Sequence, residues 1–395
     1  MLLLKLYCLL GTLEVLAVGA HAIEPGVGDE NSWQNAKQGE VILLDKLWSR
    51  QSQLPRVPVR ISKARGPQLL FSDRPEYFHA GNGIGLQEEV KPGMVRLYIY
   101  HVPEPANSPK IISAVIENLG GKPLKLRFSR RAFPQPGKDY QRIGKTGLVD
   151  FFNSKREKTV RLIPPGGRAV IDPKMDQTLV TQNDLVHGFY EFKISQPARI
   201  TVFQRDPQQS STEVIDRLPK LRRNLAGVDT SGAGRGLFLT SNFDVANQPG
   251  FILDTTNGPT QLILADGRHD PFIKGHDSLD GGAAGSNNGN YGVLYRIRLK
   301  RTSSNGCGLA VMITKRGGFD KWCSLQAGAV QVNQGVWPGG TIPIPGDRVA
   351  YGKDGEMVLI QKFLPLSKGK TGFVEILYSP PGGSCLPTPI VFVPY

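Results

Sequence analysis

Short alternating runs of apolar and polar residues, cut repeatedly by glycine and proline clusters, dominate the chain from Val57 onward. A side-chain period of two gives each run one apolar face, and each break forces a turn, so the pattern builds strands and excludes a parallel sheet wound on helices. Val95, Leu97, Ile99 and His101 alternate with Arg96, Tyr98 and Tyr100. Leu124, Leu126 and Phe128 alternate with Lys125 and Arg127, and Tyr190, Phe192 and Ile194 with Glu191 and Lys193. These runs read as half-buried antiparallel strands. The breaks carry turn chemistry in Asn118-Leu119-Gly120-Gly121, Pro134-Gln135-Pro136-Gly137 and Pro164-Pro165-Gly166-Gly167. With 46 glycines and 30 prolines in 395 residues, the chain has too many for a helical protein and too few for a disordered one.

At roughly 100 to 200 residues per domain, this length predicts two domains. Both are expected to be all-β, each an antiparallel β-sandwich of the Ig-like or jelly-roll-like kind. The first occupies 56–206. Residues 207–236, basic and then Gly-rich, have the composition of a linker. The second, 237–395, contains strand-like runs at 237–240, 261–265, 293–300, 309–314, 357–363, 373–378 and 390–393. Ahead of both lies a polar segment, 23–55, in which Val41, Leu44, Leu47 and Trp48 at helical spacing predict one short helix ended by Pro55.

Residues 2–20 are apolar apart from Lys5 and Glu14 and lead into Ala20-His21-Ala22, a small-x-small site of the kind signal peptidase cuts. A signal peptide over 1–22 is expected, with the exported chain starting at Ile23. Glu14 and two glycines interrupt the run short of the ~20 residues a span needs, and no later segment supplies one. Export leaves Cys307, Cys323 and Cys385 in an oxidising compartment. A bridge from Cys307 to Cys323 would close a loop of about 16 residues and contribute about 3 kcal/mol. Buried free thiols are the alternative, and the spacing matches no zinc pattern.

Three stretches carry a resemblance: Arg96-Leu97-Tyr98-Ile99-Tyr100-His101, Pro136-Gly137-Lys138-Asp139-Tyr140 with Gly144-Lys145, and Gly289-Asn290-Tyr291-Gly292-Val293-Leu294-Tyr295. Together they resemble a group of functionally uncharacterised secreted bacterial all-β proteins, some of which carry copper-amine-oxidase-type accessory domains. The resemblance spans about residues 95–300 and implies export and an all-β fold. It brings no catalytic residue.

Two constellations could carry chemistry. Asp266-Gly267-Arg268-His269-Asp270-Pro271, followed by Gly275-His276-Asp277 and Asp280, gathers two of the six histidines. His269, Asp270, His276, Asp277 and Asp280 form a candidate metal set, with calcium favoured over zinc because no nearby glutamate stands as a general base. The spacing lacks the periodicity of a calcium loop and the i, i+4 histidines of a helical zinc site, so turn formation by Asp, Gly and Pro271 is the competing account. The second constellation is the strand at 293–301. Val293, Tyr295, Ile297 and Leu299 alternate with Arg296, Arg298 and Lys300, which places cations about 7 Å apart along one face. These three, with Arg301, are the candidate polyanion-binding residues, assisted by a net charge of +14. A solvated face that deters edge pairing is the alternative.

Elsewhere the chain has no Gly-x-Ser-x-Gly, S-x-x-K set or HExxH. The Gly-rich stretch 281–290 lacks phosphate-loop motifs. Glu88 and Glu89, adjacent on a strand, are expected to face opposite ways. The leading expectation is a noncatalytic exported protein of the cell envelope or extracellular matrix that binds anionic cell-wall polymers or acidic glycans, with long edge strands permitting self-assembly. The alternatives are a secreted metal-dependent hydrolase or oxidoreductase using the His269 to Asp280 loop, and a carbohydrate-binding protein using tryptophans such as Trp48, Trp322 and Trp337. Nucleic acid is disfavoured because no reading motif accompanies the charge.

Overall fold

The computed structural model describes residues 33, 35–104, 108–315 and 325–395. In the first half the strands are β1 (Val41–Leu43), β2 (Val59–Ser72), β3 (Tyr77–Phe78), β4 (Gly83–Val90), β5 (Gly93–Pro103), β6 (Ile111–Asn118), β7 (Leu124–Ala132), β8 (Arg161–Ile163), β9 (Arg168–Val170), β10 (Val186–Ile194) and β11 (Ala198–Arg205). The second half has β12 (Gly234–Asn247), β13 (Leu253–Asp254), β14 (Thr260–Leu264), β15 (Lys274–Asp277), β16 (Ala283–Asn287), β17 (Leu294–Thr302), β18 (Leu309–Thr314), β19 (Gly328–Val332), β20 (Gly340–Ile344), β21 (Glu356–Phe363), β22 (Gly372–Tyr378) and β23 (Thr388–Pro394). Among the described residues four α-helices accompany them: α1 (Asp45–Ser49), α2 (Tyr140–Asn153), α3 (Pro173–Gln177) and α4 (Ser211–Val214). With about 46% strand against 11% helix and no closed barrel among the described residues, the protein is all-β.

One long sheet runs β20-β19-β22-β17-β12-β2-β5-β10-β7-β8, with β3, β13, β15 and β16 pairing alongside. A four-stranded sheet, β4-β11-β6-β9, packs over one end of it, and a five-stranded sheet, β1-β21-β18-β23-β14, over the other. The first sandwich buries Leu70, Leu97, Ile99, Leu126 and Phe192 against Leu86, Ile116, Ile200 and Val202. The second buries Phe243, Ile297 and Val374 against Val311, Val358, Ile360 and Phe392. Both sandwiches draw on the same continuous sheet because β2 pairs along β12, Leu70 opposite Leu237 and Ile61 opposite Val245. Most ladders are antiparallel, but β2 runs parallel to β5 and β12 parallel to β17. Residues 207–236, read as a linker, carry α4, a bridge between Lys220 and Ile84 and the buried Leu221 before entering β12.

The half-buried reading holds for β7 and β10 and fails for β5, whose residues from Val95 to Pro103 are all buried. The second face of β5 is covered by loop residues, Tyr291 and Gly292 against Tyr98 and Gly382 against Tyr98 and Tyr100, and against Gly382 lies α2, which sequence periodicity did not reveal. It places Ile143, Leu148, Phe151 and Phe152 in the same core as Tyr98, Tyr100 and Phe189, with Phe151 stacked on Phe189 at 3.7 Å between centroids. Asp139 caps the helix by accepting a hydrogen bond from the Arg142 amide. Gly147 permits the close approach, since a Cβ there would meet the His187 ring at 2.4 Å. The expected N-terminal helix is shorter than its apolar spacing suggested: Val41 lies in β1, and the α-helix Asp45–Ser49 is followed by a single 3-10 turn at Gln51–Gln53.

Cys307 and Cys385 are both disulfide-bonded, which removes the free-thiol alternative for them, while Cys323 and the expected bridge to it lie outside the described residues. Among the described residues no helix is long and apolar enough to cross a membrane.

Candidate functional site

The strict alternation of β17 produces the expected cationic face. Arg296, Arg298 and Lys300 are exposed, and Ile297 and Leu299 are buried. Arg60 of β2 lies in the same row as Arg298, through Ala246 of β12. Arg301 does not belong to this face: it shares the parity of Ile297 and Leu299 and is only 5% exposed. Its guanidinium lies 5.1 Å over the Phe363 ring and donates to the Leu364 carbonyl. Burial pulls its pKa down.

The face is not bare positive charge. Arg296 Nε donates to Asp244 at 2.6 Å and Arg298 Nε to Glu375 at 2.8 Å, both carboxylates standing on adjacent strands. Each carboxylate takes only the Nε hydrogen, so the terminal guanidinium nitrogens remain open to an anion. The Arg298 guanidinium also lies 3.5 Å over the Phe373 ring, which holds it in place. Lys300 stands opposite Phe373 and makes no ion pair among the described residues.

The five candidate metal ligands are not brought together, and among the described residues no group of three or more His, Cys, Asp or Glu side chains is arranged to hold a metal ion. They divide between two structural networks. In one, Asp266 accepts from the His269 amide and ring and from the Arg268 amide. Burial would raise the Asp266 carboxyl, but these hydrogen bonds pull it well below the usual range. Asp270 is fully buried and accepts from the Ala265 and Asp266 amides and the Tyr295 hydroxyl. Burial pushes its carboxyl up to about 6 against those donors.

In the other network, Asp277 and Asp280 turn away from solvent to pair with Arg235 at 2.6 and 3.2 Å. Arg235 is completely buried and also donates to the carbonyls of Leu221, Arg74 and Gly85. Its glycine flanks explain how strands can close around it: a Cβ on Gly234 would meet the Ser286 carbonyl at 1.8 Å, and one on Gly236 the His276 carbonyl at 2.2 Å. His276 reaches Glu88 of β4 at 3.2 Å, and the Ser278 amide donates to the same carboxylate at 2.7 Å. Burial raises the Glu88 pKa against these donors. The loop therefore clasps β15 and β16 to the first sandwich.

Glu88 and Glu89 diverge as expected, one buried and one exposed on Arg199. Both border a polar cleft of about 510 Å3 with Gln87, Arg199, Asp216 and Lys220. From Glu89 the ion pairs continue through Arg199, Glu117 and Arg168 to Asp216, alternating in sign across the outer face of the four-stranded sheet. Trp337 does not form a flat sugar platform: with Trp33 and Tyr395 it surrounds the Lys362 ammonium. Trp48 lies against Lys315, and Trp322 is outside the described residues.

Sequence reasoning missed Arg96 and Arg235 as structural centres. Arg96, buried in β5, binds Glu191, the Ser241 and Gly292 carbonyls and Asn242. Its only signal was a lone arginine in an apolar run, as that of Arg235 was a lone arginine between two glycines.

No family model and no curated protein matches the chain. Among solved structures, it is similar to the CUB1-EGF-CUB2 domain of human MASP-1/3 at 9% sequence identity, over 78% of this chain and 100% of that one, with a TM-score of 0.17. A score that low bears on neither topology nor function.

Proposed function

We propose that the chain is an exported, noncatalytic protein of the cell envelope or extracellular matrix that holds anionic polymers, phosphate-rich or uronic, on the β17 face. One observation carries the reading: Arg296 and Arg298 are oriented by single Nε bonds to Asp244 and Glu375, and their terminal nitrogens point to no other group among the described residues. An oriented guanidinium can take a phosphate or carboxylate in two parallel hydrogen bonds, and loses less conformational freedom in doing so than a free one. Lys300 and Arg60 extend the same surface. The apolar N-terminal run ending at Ala20-His21-Ala22 and the resemblance to exported β proteins support the extracellular setting.

The test is binding of polyphosphate and of polygalacturonate across a salt series, for the wild type and for an R296A/R298A/K300A variant. Each neutralised charge contributes about 0.9 to the slope of log affinity against log salt on a dense polyanion, so the slope for polyphosphate is expected to shrink by about 2 to 3 in the variant. Equal affinity and equal slope for the two proteins would overturn the reading.

A further inference from the structure

The edge of the long sheet beyond β7 presents a surface of different composition. Residues 154–163 run beside β7: the Arg131 amide donates to Ser154 Oγ, the Glu157 amide to the Phe128 carbonyl, and Arg161 to Ile163 pair with Leu126 to Leu124. What turns inward is satisfied there. Ile163 is buried, Arg161 donates to the Val170 and Ile171 carbonyls, and Glu157 pairs with Arg131. What turns outward is cationic and aliphatic. Lys155, Arg156 and Lys158 are exposed along the edge, and on the adjoining outer face Lys125 stands opposite Leu162 and Arg127 opposite Lys193. None of these six makes an ion pair among the described residues, unlike Arg296 and Arg298. Between them Leu162 is 64% exposed and Val160 41%.

We propose that this edge docks the protein on a bilayer surface carrying anionic lipid headgroups. Uncompensated cations supply attraction that falls off within a Debye length, and aliphatic side chains at the same level supply a hydrophobic term that a soluble polyanion cannot use. Strand addition by a partner chain fits poorly, because β8 has three residues and Pro164 and Pro165 follow it directly. The inference is independent of the β17 face, which lies on other strands of the sheet.

The test is co-sedimentation of the full chain with vesicles of phosphatidylserine and phosphatidylcholine mixed at about 3:7, in roughly 0.1 M salt where screening acts over about 10 Å. Vesicles of phosphatidylcholine alone register any contribution from the apolar residues 2–20. The wild type is expected to bind the mixed vesicles in excess of that background. A K155E/R156E/K158E variant should lose about 100-fold or more in partitioning, at roughly fivefold for each cation removed. A V160S/L162S variant should lose about tenfold on vesicles while keeping its affinity for soluble polyphosphate. The R296A/R298A/K300A variant should bind vesicles like the wild type. No serine-lipid-dependent binding, or charge-reversed protein that binds like the wild type, would overturn the proposal. So would an unchanged V160S/L162S variant, since the edge would then be a general polyanion contact. Vesicle binding that persists where polyphosphate binding at β17 fails would sink the function proposed above and leave this inference standing.

Discussion

Two histidines are buried as neutral rings, and their geometry fixes how stability should respond to acid. His101 donates from Nδ1 to the Pro75 carbonyl at 2.7 Å, so Nε2 accepts from the Ser72 hydroxyl, also at 2.7 Å. His187 donates from Nδ1 to the Ile99 carbonyl at 3.0 Å and leaves Nε2 buried with no partner. Burial pushes the two rings down to about 3 and about 4. In the unfolded chain a histidine titrates near pH 6.5. Folded values below that mean the stabilisation is whole above pH 6.5 and is lost as pH falls toward 4 and 3. At pH 5 each histidine has forfeited about 2 kcal/mol, a sizeable part of the 5–15 kcal/mol typical of a domain. Asp73, Glu76 and Glu88 act in the opposite sense, because burial raises their carboxyls and protonation favours the fold. Asp270, at about 6, does the same. The wild-type pH curve therefore mixes both contributions, and the informative quantity is the gap between wild type and His187→Asn. An asparagine amide can still donate to the Ile99 carbonyl but does not titrate. We expect the variant to be less stable at pH 7 and the gap to narrow by about 2 kcal/mol by pH 5, measured by urea unfolding at each pH. A gap that stays constant within about 0.5 kcal/mol over that interval would refute the neutral, buried assignment.

Replacing Arg235 by Met removes the buried cation from between Asp277 and Asp280 and leaves them the partly exposed Arg223, 3.4 and 2.8 Å away, so it should cost somewhat less than the roughly 3–5 kcal/mol of a fully broken buried pair, about 2–3 kcal/mol in urea unfolding. A loss under 1 kcal/mol would mean that the clasp is solvated. Gly147→Ala would gain about 1 kcal/mol in an open helix, but here the methyl meets the His187 ring, so a net loss of about 1–3 kcal/mol is expected in thermal unfolding. A stabilised variant would show that α2 packs less closely on β10 than described.

The strands of the first sandwich were legible wherever one side faces water, because burial then writes itself as alternation. In β10, Glu191 and Lys193 alternate with Phe192 and Ile194, and the reading held. In β5 the alternation of Arg96, Tyr98 and Tyr100 with Leu97 and Ile99 looked the same, but loop residues Tyr291, Gly292 and Gly382, the last backed by the helix α2, cover the second face. Aromatic and arginine side chains serve as well in a core with partners as on a surface, so composition could not separate the cases. Gly144 and Gly147 hid the helix itself, since each lowers helix propensity and each is there for a close contact. Pairing of β2 with β12, across more than 160 residues of chain, left no local mark at all.

The same limit governs the charged residues. The row on β17 could be read because period two places Arg296, Arg298 and Lys300 together, and that rule also turns Arg301 inward with Ile297 and Leu299. In the loop from Asp266 to Asp280 carboxylates close in sequence suggest a shared ligand, whereas Asp266 and Asp270 take amides of the loop itself and Asp277 and Asp280 take the distant Arg235 and Arg223. A buried carboxylate must find a donor, and a distant guanidinium satisfies that need as fully as a metal ion. The net charge of +14 thus divides into two populations with different physics. Arg96 and Arg235 are enclosed, where added salt screens them little, and their attractions hold the sheets together. Lys155, Arg156, Lys158 and Lys300 stand in solvent without carboxylate partners among the described residues, where a Debye length of about 10 Å at 0.1 M salt governs what they attract. Salt that abolishes the proposed ligand capture should consequently leave the fold intact, because the cations proposed to bind and the cations that build are different residues.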